Sequence, residues 1–118
     1  MKLEINGKTY ELYFGMAFLR FINEKYGMMQ QGVNLGLALQ RLLPGVINND
    51  LVAMEDLIFA SIKSNGKSIT QAKLDAYFES LTADEVKQLR EDLVTALNEA
   101  NTTHAPLAQI LEAVQDEN

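Results

Sequence analysis

The stretch "KLEINGKTYELYF", residues 2 to 14, constrains the fold more than any other part of the chain. Asn6-Gly7 suits a type I′ turn, whose two central residues both take positive φ. Before the turn, Leu3 and Ile5 alternate with Lys2 and Glu4; after it, Tyr10 and Leu12 alternate with Thr9 and Glu11. This pattern predicts a half-buried β-hairpin from Lys2 to about Tyr13. A lone hairpin is marginal in water, so its apolar face needs a covering layer. The next segment can supply it. Met16, Leu19, Ile22 and Tyr26 fall at helical spacing, Phe18 and Phe21 widen the stripe, and Arg20, Asn23, Glu24 and Lys25 form the polar side. Gly27 is expected to stop this helix in the left-handed conformation, and the hairpin to lie against it.

Downstream, the pattern is helical. "GMMQQGVN" reads as a loop bounded by glycines, and Asn34 is placed to cap a short helix, "LGLALQRLL", ended by Pro44-Gly45. Asp50 is a cap for a helix from Leu51 to about Lys63, with Leu51, Met54, Leu57, Ile58 and Ile62 apolar. "SNGKS" reads as a loop between helices, because the runs beside Asn65-Gly66 do not alternate. A helix from about Thr70 turns Leu74, Tyr77, Phe78 and Leu81 inward. Thr82 and Glu85 have the spacing of a capping box. They open a long helix with Val86, Leu89, Leu93 and Leu97 on one face. "NTTHAP" is expected to be a linker, followed by a short C-terminal helix or flexible tail over 105–118. The expected fold is therefore α+β and mainly helical: an N-terminal hairpin packed on five or six short helices, with 1–104 as a single globular domain.

Composition narrows the function. Sixteen acids against ten Lys and Arg give a net charge of -6, and no basic footprint suits a nucleic acid. With no cysteine, disulfides, thiolate catalysis and Cys-ligated metal sites are excluded. No apolar run has the length of a bilayer span, and "MKLEING" lacks the apolar region of a signal peptide. The sole histidine, His104, lies in a polar stretch without an orienting partner. The acid pairs Glu55-Asp56 and Glu91-Asp92 diverge on their helices and read as solvated faces. "GVNLG" precedes a helix but lacks the Lys and Ser or Thr of a phosphate loop. No cofactor, metal or catalytic group is expected.

Two apolar features stand out as candidate partner contacts. Met28-Met29 lies in a predicted loop, where flexible thioethers adapt to varied surfaces or fill a gap in the core. Leu107, Ile110, Leu111 and Val114 share one side of the tail helix, which either docks on its own domain or offers a face to another protein.

The segment "KLEINGKTYELYFGMAFLRFINEKYG" resembles the start of small tail assembly chaperones of long-tailed phages and prophages of Gram-positive bacteria. That family's hairpin carries an "INGK-Y-L-FG" pattern and runs into a helix like "FLREL-KKYG". "ITQAKLDAYFESL", residues 69 to 81, is similar to its second block, a "-EVEDYLEE" helix. The resemblance implies a non-enzymatic protein that binds the tape measure protein, keeps its apolar helices soluble and helps recruit tail tube subunits. It also implies action in the cytoplasm of the bacterial host and absence from the mature virion. Many copies on one long client imply a homo-oligomer, and the hairpin edges are candidate pairing surfaces. Many such phages make a longer product by ribosomal frameshifting, yet no Lys-Lys or Gly-Lys pair near the terminus suggests a slippery codon run here. The alternative is a small structural virion protein, such as a connector or tail completion subunit.

Overall fold

A computed structural model describes the backbone of residues 1–116 and the side chains of residues 1–113. The elements are β1 (Lys2–Ile5), β2 (Lys8–Glu11), α1 (Met16–Tyr26), β3 (Met28–Gln30), β4 (Val33–Gly36), α2 (Ala38–Ile47), α3 (Leu51–Lys63), α4 (Gln71–Glu79), α5 (Ala83–Glu99) and α6 (His104–Asp116). The architecture is α+β and mainly helical, as the sequence pattern predicts.

β1 and β2 pair antiparallel in the register that joins Ile5 to Lys8 across the two-residue turn. Asn6 and Gly7 have φ of 55° and 81°, as a type I′ turn demands. Ile5, Tyr10 and Leu12 are buried, whereas Leu3 is only partly so. The hairpin's neighbours correct one expectation. Ile5 and Asn6 share a cleft with Lys73, Ala76, Tyr77 and Ser80 of α4. The end of β2 shares another with Ala96, Glu99 and Ala100 at the C-terminal end of α5. The hairpin thus faces these later helices, and its exit meets α1 where the Phe14 and Phe18 rings pack edge to face. Thr102 donates a hydrogen bond to the Phe14 carbonyl and fastens the hairpin's exit to the α5–α6 corner.

The core is organised by α3. Ala53, Met54, Leu57, Ile58, Ala60, Ser61 and Ile62 are all buried on this one helix, so it is covered on most sides. It packs against α1, α2 and α4. α2 also meets α5 and α6, and α5 and α6 pack on each other. Local capping matches the sequence signals. Asp50 accepts from the Val52 and Ala53 amides at 3.0 and 3.4 Å. Thr82 and Glu85 form the reciprocal capping box, at 3.0 and 3.2 Å.

Four local expectations fail, each for a physical reason. "GMMQQGVN" is not a loop but a second antiparallel hairpin, β3–β4, turning at Gln31-Gly32 with φ of 51° and 79°. Gly27 does stop α1, but in an extended conformation with φ -68°, not a left-handed one. Its need for glycine is spatial: a Cβ would strike the Asn23 carbonyl and come within 2.7 Å of Asn34 Oδ1. Pro44-Gly45 does not end α2, which continues to Ile47. Gly45 instead makes room for the next helix, since a Cβ there would lie 3.0 Å from that of Ala53. Finally, Asn34 does not cap α2. Leu37 stands at the cap position with φ 67° and offers no side-chain acceptor, so the cap comes from elsewhere.

Candidate partner-binding surface

The missing cap is Asn23, on the last turn of α1. Its Oδ1 accepts from the Ala38 amide at 3.1 Å, across fifteen residues of chain. Its backbone carbonyl accepts from Asn34 Nδ2 at 2.9 Å, and Asn34 Oδ1 in turn accepts from the Gly36 amide at 2.7 Å. Arg41 donates to the Tyr26 carbonyl at 3.0 Å. One asparagine therefore ties the end of α1, the start of α2 and the hairpin between them. β3–β4 is a rooted projection, held at its base and open beyond it.

What it projects is apolar. Met28, Met29, Val33, Leu35 and Leu37 are 42%, 60%, 58%, 46% and 44% exposed. No charged residue occurs between Gly27 and Gln40, although the chain carries a net charge of -6. A small two-stranded sheet with open edges and exposed apolar side chains is a surface for another polypeptide. Ordinary strands of a half-exposed sheet bury one of two alternating faces; here β4 alternates, as Val33-Asn34-Leu35-Gly36, but its apolar residues stay exposed, β3 does not alternate, and a register shift between Met28 and Met29 breaks the regularity further.

The tail residues sit differently. Leu107 is fully buried, and Ile110 and Leu111 are partly buried against the core. Val114's side chain lies outside the described residues. α6 begins at His104, earlier than the predicted linker would allow, and packs on α5 and α2. Of the five marked residues whose side chains are described, Met28 and Met29 are thus the exposed pair, and they are far from the role of Leu107. Val33, Leu35 and Leu37 belong with them and were missed, because Leu35 and Leu37 read as the start of the next helix, although all three alternate with Asn34 and Gly36.

The polar candidates do not converge. His104 is exposed, and its Nδ1 donates to the Asn98 carbonyl at 2.8 Å. Glu55 and Asp56 diverge as expected of helical neighbours, but both are half-buried, not freely solvated. Asp56 accepts from the Tyr26 hydroxyl at 3.2 Å. Burial raises the Asp56 carboxyl, although the Tyr26 hydrogen bond and Lys25 oppose the rise. Burial, then Asp56, holds the Tyr26 hydroxyl well above its ordinary value. Burial and Asp75 push Glu55 up to about 7, and Gln71 donates to both of those carboxylates. Among the described residues, no group of three or more His, Asp or Glu is placed to hold a metal ion, and no helix is long and apolar enough to cross a membrane.

Comparisons with curated proteins and with solved structures give no match. A family model described as phage tail assembly chaperone protein, TAC, matches residues 2–112. That span takes in both hairpins, the first five helices and most of α6, so this chain belongs to the phage tail assembly chaperone family.

Proposed function

We propose that the protein is a non-catalytic assembly chaperone that binds apolar helical segments of the tape measure protein through the β3–β4 hairpin. Family membership carries the chaperone role. The binding surface rests on one observation: four exposed apolar side chains on an uncharged, rooted hairpin, with Leu37 exposed beside its base. Such a surface contributes affinity through apolar burial, at roughly 25 cal/mol per Å² removed from water. It carries no charge that would have to be desolvated. Methionine at two of its positions lets one surface fit many client segments. Binding of this kind is reversible, as required of a factor that leaves before the virion is complete. Several copies act along one client, and self-association raises their effective concentration. The site of action is the cytoplasm of the bacterial host, where tail tube subunits are then recruited.

Co-expression with the tape measure protein tests this reading. Co-purification of the two, with a soluble tape measure, is expected, together with absence of this chain from purified virions by mass spectrometry. Stoichiometric retention in virions would instead identify a structural connector or completion subunit.

A further inference from the structure

A second exposed apolar surface has the opposite electrostatic character. At the start of α3, Leu51 and Val52 are 38% and 67% exposed. They line a groove of about 210 Å³ with Phe78 and the carboxylates of Glu55, Asp75 and Glu79. No Lys or Arg lines it. Gln71 bonds both Glu55 and Asp75 and so gathers two acids at one side of the apolar floor. On the other side of Leu51, Lys87 and Arg90 line a separate cleft. Arg90 is already engaged, donating to the Ile47 carbonyl at 3.3 Å.

We propose that this groove docks a short amphipathic segment of a client protein, with an apolar side chain on Leu51 and Val52 and a Lys or Arg against Glu55, Asp75 and Glu79. Charge complementarity selects this occupant. Three clustered acids repel one another, and an incoming cation relieves the repulsion. Burial first, and then the neighbouring Asp75, raise the Glu55 carboxyl, and a cation seated beside it favours the charged form. A Lys or Arg stem can also cover Val52 while its head reaches the carboxylates. A second copy of this chain, with its net charge of -6, brings excess negative charge to the same place. The inference rests on the chaperone reading and adds a contact chemically distinct from the uncharged hairpin: one surface accepts apolar residues, and the other selects for basic ones.

The test uses the full chain and two short helical peptides of identical leucine spacing, one with lysine and one with glutamate at the polar positions. Amide resonances are followed by NMR. The lysine peptide is expected to shift Val52, Glu55 and Asp75, and the glutamate peptide to leave them in place. Glu55→Gln/Asp75→Asn/Glu79→Gln is expected to weaken the lysine peptide roughly tenfold at low salt, as the loss of ion pairs to two exposed carboxylates and a half-buried one implies. Val52→Ser, at an exposed position, is expected to weaken it with the fold intact. Equal binding of the glutamate peptide overturns the proposal. So does an equal loss on neutralising Asp84, Glu91 and Glu99 instead, which would mean diffuse attraction to an acidic protein. A tape measure protein that co-purifies while the lysine peptide ignores the groove overturns this inference and leaves the chaperone reading standing. Lysine-peptide binding without any tape measure association does the reverse.

Discussion

Replacing Asn23 with alanine removes the cap of α2 without touching α2 itself. The Ala38 amide then loses its only side-chain acceptor, and Ala38 is fully buried. Loss of an N-cap costs about 0.5–2 kcal/mol. A buried donor left without a partner costs about 1–3 kcal/mol. The two ranges describe the same lost bond and overlap at about 1–2 kcal/mol. For a chain of 118 residues, unfolding entropy of roughly 2.1 cal/mol/K per residue converts this to a fall in Tm of about 4–8 °C. Asn23→Asp keeps an acceptor oxygen and places a negative charge at the N-terminus of α2, where the helix dipole favours it. It should melt close to the wild type. The Asn23 carbonyl that holds Asn34 is backbone and survives both changes. Thermal melting by circular dichroism therefore isolates the cap. An alanine variant that melts like the wild type, or an aspartate variant as unstable as the alanine one, would refute the assignment.

Other perturbations read out separate parts of the structure. Leu107→Ala should cost about 2–5 kcal/mol, the range for emptying a fully buried leucine site; a small loss in a denaturant titration would return this residue to the exposed tail face that sequence suggested. Gly7→Val should cost roughly 1 kcal/mol or more, because a β-branched residue resists the φ of 81° at the first hairpin's turn. An unchanged Tm would deny that turn. Glu55 titrates near 7 when folded, against an ordinary 4.5, so between those pH values the folded state keeps a proton that the unfolded state has lost. Stability contributed by the protonated group is accordingly lost as pH rises through that window. Glu55→Gln should melt above the wild type at pH 8 and like it at pH 4, in a comparison of Tm across pH.

Much of this fold was legible because its signals are local. The Asn6-Gly7 turn, the Asp50 cap and the Thr82–Glu85 box each involve residues within a few positions of one another, and each forms as its spacing implies. The failed helix caps and stops depend largely on more distant parts of the chain. The cap of α2 comes from Asn23, fifteen residues away, while the nearby Asn34 is used to bind α1. Gly45 looks like a helix stop until α3 is packed beside it. Gly27 looks like a left-handed terminator until Asn34 is seen to occupy the space a side chain would need. The β3–β4 hairpin was hidden for a further reason. Strand recognition depends on alternation along both strands; Val33 and Leu35 alternate with Asn34 and Gly36, but Met28-Met29-Gln30 does not, and all four of these apolar residues are exposed. The departure from the usual pattern that obscured the strands is the same one that marks them as a surface for another protein. The tail helix shows the converse. Its apolar side was plain in the sequence, but whether that side met its own domain depended on where α2 and α5 lie.

The claim that β3–β4 holds the client is tested most directly by a hairpin variant with an intact fold. Met29→Ser/Val33→Ser/Leu35→Ser changes exposed side chains alone and leaves Asn23, Asn34 and Arg41 in place. The wild type and the variant are each co-expressed with the tape measure protein, and the soluble fraction of that client is measured beside the Tm of the purified variant. The account predicts an unchanged Tm and a client lost from the soluble fraction. A client as soluble with the variant as with the wild type would contradict it.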